Sequence, residues 1–208
     1  MITRRHMLAL GAAATAFPLT ATAQPGFPTL QEVTVDPDVP VLGNPNGDLT
    51  IVEYFDYQCS VCKHAHFDLL NIVKADGHIR WMMRDWIIFG EVSTYAAQVA
   101  LGAQKLGVYE TVSSALMRIP GGNLNKGDIF GAMMQTGLSP ADALKAYRAD
   151  QARIDALLAR NAVQAEGFGF SGTPSFIIGN AVYRGALSPN DMKQAIADAR
   201  QRQKATPV

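Results

Sequence analysis

Cysteine is scarce, with two among 208 residues, and two cannot build the multi-bridge framework that staples a small secreted scaffold. Charge of either sign is not in surplus, since eighteen Lys and Arg face eighteen Asp and Glu. Nothing therefore drives the counterion release on which binding to a phosphate backbone depends, and a nucleic-acid partner is excluded. Past the first residues no apolar run approaches the roughly 20 residues that cross a bilayer. Low-complexity tracts and internal repeats are also missing. What is present is a chain 48% hydrophobic and 17% charged, enough to bury one sizeable core.

Residues 1–23 read as an export signal: Arg4 and Arg5, an apolar run from Met7 to Phe17, then Ala21-Thr22-Ala23 as a small-residue cleavage site. The route is either the general secretory one or the twin-arginine one, because Thr3-Arg4-Arg5 suits both. Removing this segment leaves the mature chain about two charges negative. The expected location is the periplasm, an oxidising compartment in which a cysteine pair can cycle.

Residues 24–47 carry Pro25, Pro28, Pro37, Pro40 and Pro45, which predicts an extended lead-in without helix. Residues 49–55 are β-branched and aromatic and predict a buried strand. A helix is expected from Cys59 to about Ala75, with Cys62, Ala65, His66, Leu69, Ile72 and Val73 on one side. A second strand is expected over 79–88, so that residues 48–90 make a βαβ unit with parallel strands. Residues 91–166 show helical periods only, with Ser139-Pro140-Ala141-Asp142 as a helix start. Within 167–208, strands at 175–178 and 181–184 flank the turn Gly179-Asn180 as a hairpin, and Ser188-Pro189 opens a last helix.

The two cysteines sit as Cys59-Ser60-Val61-Cys62. A disulfide closes across that spacing only where the Cβ atoms converge about one helical turn apart, as at a helix N-terminus. There the first thiol should face solvent and the second face inward. The unpaired N–H groups and the helix dipole stabilise a thiolate at Cys59, lowering its pKa from the free value of about 8.5. Such a thiolate is a good nucleophile and a good leaving group. A static disulfide would gain little chain entropy from so short a loop.

Together, Val41-Leu42-Gly43, Phe55-Asp56-Tyr57-Gln58-Cys59-Ser60-Val61-Cys62-Lys63 and Gly172-Thr173-Pro174-Ser175-Phe176 resemble the DsbA-like thiol:disulfide oxidoreductase family. The resemblance implies an α/β chain, a thioredoxin fold of βαβ plus ββα (48–90 and 167–208) with an inserted all-helical domain (91–166). It implies that Cys59 attacks and Cys62 resolves, that Glu53 is a proton acceptor beneath them, and that Thr173-Pro174 is a loop, usually with a cis peptide bond, that binds substrate backbone. Reduced or misoxidised exported proteins would be the substrates, and no cofactor is called for. Strongly oxidising members carry Pro-His between the cysteines, whereas this chain has Ser60-Val61. The reduction potential is accordingly expected below the roughly −120 mV of the strongest oxidants. Isomerases of this type hold several units together on an added N-terminal domain; the short lead-in here favours a monomer, and an oxidase over an isomerase or reductase. An oxidase also requires a membrane redox partner to reoxidise it.

His66 lies four residues after Cys62, on the same helix side, where it would tune the thiols or pass protons, or merely complete a polar patch. Arg84 and Asp85 interrupt the second strand and are read as a structural pair or as lining the site. A rival function is metal handling, because Cys59, Cys62, His64 and His66 are all ligand types for Cu(I) or Zn. Positions 62 and 64 lie about 200° apart around a helix, which opposes a four-ligand centre.

Overall fold

Leu49–Phe55 (β2) is buried along nearly its whole length, as its β-branched and aromatic sequence requires. The computed structural model describes residues 27–205; the proposed signal peptide lies outside them. β2 is the central strand of a five-stranded sheet, flanked by Val41–Gly43 (β1), Ile79–Asp85 (β3), Ser175–Ile178 (β4) and Ala181–Tyr183 (β5) in the order β1-β3-β2-β4-β5. β2 and β3 run parallel, and the other neighbouring pairs antiparallel. The βαβ crossover is completed by Ser60–Asp76 (α2), which ends at Gly77 in the left-handed conformation, φ 73°. A residue with a Cβ would be strained there.

The sheet places alternate residues on opposite faces. Glu53 and Phe55 share one face with Trp81 and Asp85, while Tyr54 and Arg84 share the other. The first face is covered by α2, whose His66 ring lies 5.1 Å from the Trp81 ring. The second meets Gln151–Gly167 (α7), where Asn161 Oδ1 accepts from Arg84 at 2.7 Å and Gln164 Oε1 accepts from Tyr54 at 3.2 Å.

Four more helices precede α7 between β3 and β4: Glu91–Lys105 (α3), Tyr109–Met117 (α4), Lys126–Met134 (α5) and Pro140–Ala149 (α6). Ser139 caps α6 by accepting from Asp142 N, with Pro140 in the first turn as the sequence indicated. α3 and α6 cross closely enough that a Cβ on Gly102 would collide with Ala143 O. The hairpin at Gly179-Asn180 forms as expected, and Pro189–Ala205 (α8) closes the described chain. Among the described residues no helix is long and apolar enough to cross a membrane.

Two expectations need correction. The lead-in is not uniformly extended, for Leu30–Thr34 (α1) is helical and β1 pairs with β3. Its prolines flank α1 rather than interrupt it, and Thr29 with Glu32 forms a capping box that satisfies the first turn. Nor does β3 continue to residue 88. Trp86 N still donates to Phe55 O, but the next free N–H groups, of Ile88 and Phe89, turn to the Asp56 carboxylate and take the chain off the sheet.

Candidate active site

The site begins where β2 ends. Asp56 follows Phe55 and accepts hydrogen bonds from Gln58 N (2.8 Å), Ile88 N (2.9 Å), Phe89 N (3.2 Å) and the Ser93 hydroxyl. Its backbone carbonyl accepts from Cys59 N at 3.0 Å. Gln58 adds a second clasp: its amide nitrogen donates to Phe89 O and Ser93 Oγ, and its amide oxygen accepts from Leu124 N. The turn ahead of the cysteines is thereby tied to α3 and to the segment before α5.

Cys59 is the N-cap of α2 rather than its first residue, and its Sγ accepts from Cys62 N at 3.1 Å. Cys59 and Cys62 are joined as a disulfide with their Cα atoms 5.2 Å apart. The sulfurs therefore converge as their spacing predicts, in the field of the helix N-terminus. Cys62 is fully buried, but Cys59 does not stand open to solvent as expected: it is only 5% exposed. The reason is the loop opposite, where the Thr173 carbonyl oxygen lies 3.3 Å from Cys59 Sγ and the Thr173-Pro174 peptide bond is cis.

On the face of β2 that α2 covers, Glu53 is completely buried. Trp81 Nε1 donates to Glu53 Oε2 at 3.1 Å, while Oε1 has no partner. Burial raises the Glu53 pKa to about 8, with the Trp81 hydrogen bond opposing the shift. His66 is also fully buried, packed edge-on against Phe67 and tilted against Trp81, with Nε2 3.4 Å from Ser114 Oγ. Burial, with Arg118 and Lys74 nearby, lowers its pKa to about 4. At neutral pH His66 is an uncharged ring in a mainly apolar setting, and it touches the tryptophan that holds Glu53.

Arg84 and Asp85 are not a pair, since adjacent strand residues point to opposite faces. Arg84 donates to Asn161 Oδ1, to Val33 O at 2.8 Å and to Asp36 Oδ2 at 3.5 Å, so it anchors the lead-in to the sheet. Asp85 is buried with neither carboxyl oxygen hydrogen-bonded, and burial, then the Asp56 charge, pushes its pKa well up. The metal-handling alternative gains nothing from the geometry. Among the described residues no three His, Cys, Asp or Glu side chains converge, and His64 turns back on Ser60 O at 2.7 Å while His66 is buried.

Asp56, Gln58 and Trp81 are site residues that sequence reasoning missed. An Asp ending a strand two residues before a turn N–H is a recognisable Asx-turn signal. A buried indole N–H needs an acceptor, and Glu53 in the neighbouring strand was the available one.

A family model described as Thioredoxin matches residues 36–198. The chain belongs to the thioredoxin family. A solved thioredoxin-like oxidoreductase from Silicibacter pomeroyi DSS-3 is 34% identical, with a TM-score of 0.78 over 84% of this chain and 99% of that one. The thiol-disulfide exchange protein alpha-DsbA2 of Wolbachia pipientis is 25% identical, with a TM-score of 0.74 over 81% and 90%. A periplasmic thioredoxin-like protein from Salmonella enterica serovar Typhimurium, 22% identical, shares the fold with a TM-score of 0.69 over 81% and 94%. A comparison with curated proteins finds no match. Within the thioredoxin family the chain is of the DsbA-like thiol:disulfide oxidoreductase type, with its cysteine pair on the N-terminus of α2.

Proposed function

We propose that the protein is an exported, periplasmic oxidase that donates the Cys59–Cys62 disulfide to reduced or misoxidised proteins. The observation that carries this reading is the disulfide capping α2 with the Thr173 carbonyl 3.3 Å from Cys59 Sγ. That carbonyl and the neighbouring Pro174 supply backbone to which a substrate strand can pair.

In the first step a substrate thiolate attacks Cys59 Sγ. The bond between Cys59 and Cys62 breaks, a mixed disulfide forms, and Cys62 leaves as a thiolate. In the second step another substrate thiolate attacks the substrate sulfur of that mixed disulfide. A substrate disulfide forms and Cys59 leaves as a thiolate, stabilised by the Cys62 N–H and the helix dipole. Two electrons pass from substrate to the pair. Glu53, with its pKa near 8, gives a proton to the departing Cys62 thiolate and takes one back when the pair is reoxidised. His66 acts as a neutral packing partner of Trp81 and thereby positions Glu53. A membrane redox partner restores the disulfide, and the protein works as a monomer.

Refolding of a reduced disulfide-containing protein tests the reading. The wild type should restore its activity and Cys59→Ser should abolish turnover, while Cys62→Ser, given a substrate that already carries a disulfide, should accumulate mixed disulfide through Cys59. Oxidation that persists in Cys59→Ser would refute the assignment. Insulin reduction without oxidation of reduced substrate would make the protein a reductase instead, and rescue confined to a scrambled substrate would make it an isomerase.

A further inference from the structure

Beside the cysteine pair, α2 and the end of α4 with its following loop enclose a groove of about 490 Å³. One wall begins at Ser60, the residue bonded to Cys59, so a chain captured on Cys59 has this groove as its immediate neighbour. Its floor is apolar, from Phe67 to Pro120. Three of its side chains, Lys63, His64 and Arg118, are basic, and no carboxylate lines it.

Neither Lys63 nor Arg118 has a carboxylate within ion-pair distance among the described residues. Several arginines of the fold meet carboxylates, Arg160 with Asp36 and Asp38, Arg153 with Asp38 and Asp150, and Arg200 with Asp48 and Asp76, whereas the half-buried Arg80 and Arg202 donate to neutral groups. Lys63 is only 5% exposed, yet its Nζ donates to the neutral Gly121 carbonyl at 2.6 Å. Among the described residues no carboxylate lies within ion-pair distance of it, and Asp56 and Asp128 act on it only from farther off. Arg118 stacks its guanidinium on the Phe67 ring at 5.2 Å, a placement that fixes the plane of the group while leaving its N–H fork available. A nearly buried ammonium without a counter-charge is costly unless an anion completes it.

We propose that this groove receives an acidic side chain of the substrate polypeptide, Asp or Glu, close in sequence to the cysteine that attacks Cys59. The inference rests on the exchange reading above and deepens it by naming a substrate preference. The apolar floor takes the methylenes or a neighbouring apolar residue, while Lys63 and Arg118 meet the carboxylate. No group of the disulfide chemistry changes, because the groove selects which thiol arrives.

The test uses the full mature protein in its oxidised form and single-cysteine peptides that differ only by Glu, Gln or Lys beside the cysteine. The second-order rate of mixed-disulfide formation is followed by mass spectrometry. A neighbouring carboxylate also alters the peptide thiol itself, so each rate is divided by that peptide's rate with a small aromatic disulfide. The normalised Glu peptide should exceed Gln by about five-fold, with Lys slower than Gln. The advantage should shrink in 0.5 M salt, roughly, as screening sets in. Arg118→Gln, an exposed change, and separately Lys63→Gln should each move the Glu-to-Gln ratio toward one, with folding checked by circular dichroism. Equal normalised rates for all peptides, or a Glu advantage unaffected in Arg118→Gln, would overturn the proposal while leaving disulfide exchange intact. Peptides that never become attached to Cys59 would instead overturn the exchange reading.

Discussion

Trp81 Nε1 donates to one oxygen of Glu53 at 3.1 Å, and the other carboxyl oxygen is left buried without a partner. A carboxylate in that position would be stabilised by a single neutral donor in an apolar setting, so the proton stays on until about pH 8. The acid is thus half-satisfied by construction, able to give or take a proton close to neutral pH.

This has a stability cost with a definite sign. The Glu53 pKa is raised from 4.5 in an ordinary setting to about 8 in the fold, so the native state holds a proton that the unfolded chain has released. Stability is therefore full below about pH 4.5 as far as Glu53 is concerned, and is lost as pH rises toward 8. The loss is on the order of 5 kcal/mol, at about 1.4 kcal/mol per pH unit. Asp85, also buried and raised, adds a loss in the same direction. In Glu53→Gln the share belonging to Glu53 disappears. Urea unfolding at pH 5 and pH 8 should show the variant gaining on the wild type at the higher pH, while net mixed-disulfide formation slows about ten-fold or more, because the Cys62 thiolate is left without its proton donor. A wild-type stability that rises over this interval would contradict the assignment.

Asp56 bears on activity without touching sulfur. It accepts from three backbone N–H groups and the Ser93 hydroxyl, and its carbonyl takes the Cys59 N–H, so it sets the turn from which α2 starts. Asp56→Ala leaves those donors in a buried site without an acceptor. It should cost about 3 kcal/mol in chemical denaturation. The variant should also shift the reduction potential, measured by equilibration with a thiol buffer, because the cap geometry at Cys59 loosens. Asp56→Asn, which keeps one acceptor, should fall between.

The strands and helices were largely legible in the sequence because one period dominates each segment. β2 is β-branched and aromatic along most of its length, and the helix starts at Ser139 and Ser188 carry hydroxyl caps ahead of proline. The positions of Cys59, Cys62 and Thr173-Pro174 were legible from spacing and resemblance, and the fold brings Cys59 Sγ against the Thr173 carbonyl. What was not legible depends on pairs distant in sequence. The cover over Cys59 comes from a loop 114 residues away. Trp81 matters only because the parallel register of β2 and β3 sets it beside Glu53. The helix α1 hides among prolines, which advertise breaks in helix but do not say where a capping box fits between two of them. Likewise Arg84 and Asp85, adjacent in the chain, separate because a strand turns successive side chains to opposite faces.

That separation makes Arg84 a structural test of the lead-in. Its guanidinium is fully buried and donates to Val33 O and Asn161 Oδ1, which joins α1, β3 and α7 at one point. Arg84→Met retains most of the volume but removes every donor and leaves Asp36 to Arg160 alone. The expected loss is about 3–5 kcal/mol in urea unfolding. Limited proteolysis should open the chain first within residues 27–40, since those residues lose their anchor while the α2 site keeps its own hydrogen bonds. Unchanged protease resistance of that segment would show that the capping box and the Asp38 ion pairs hold it unaided.

Arg200 on α8 clamps the opposite edge. Its guanidinium donates to both oxygens of Asp48 and both oxygens of Asp76 at 2.7–3.0 Å, tying α8 to the start of β2 and to the end of α2. These hydrogen bonds lower the pKa of both acids below 3.8. The sign is opposite to that of Glu53: the clamp stabilises fully above the ordinary carboxylate pKa and is lost as pH falls through the lowered values. Both acids are partly exposed, so solvent screening keeps the contribution small, and Arg200→Ala should cost about 1–2 kcal/mol at pH 7. The difference between variant and wild type should narrow steadily below about pH 4 in thermal or urea unfolding, as the carboxylates protonate and the clamp ceases to exist in either protein. A difference that stayed constant down to about pH 2 would mean that packing of the arginine stem, and not its charge, holds α8 in place.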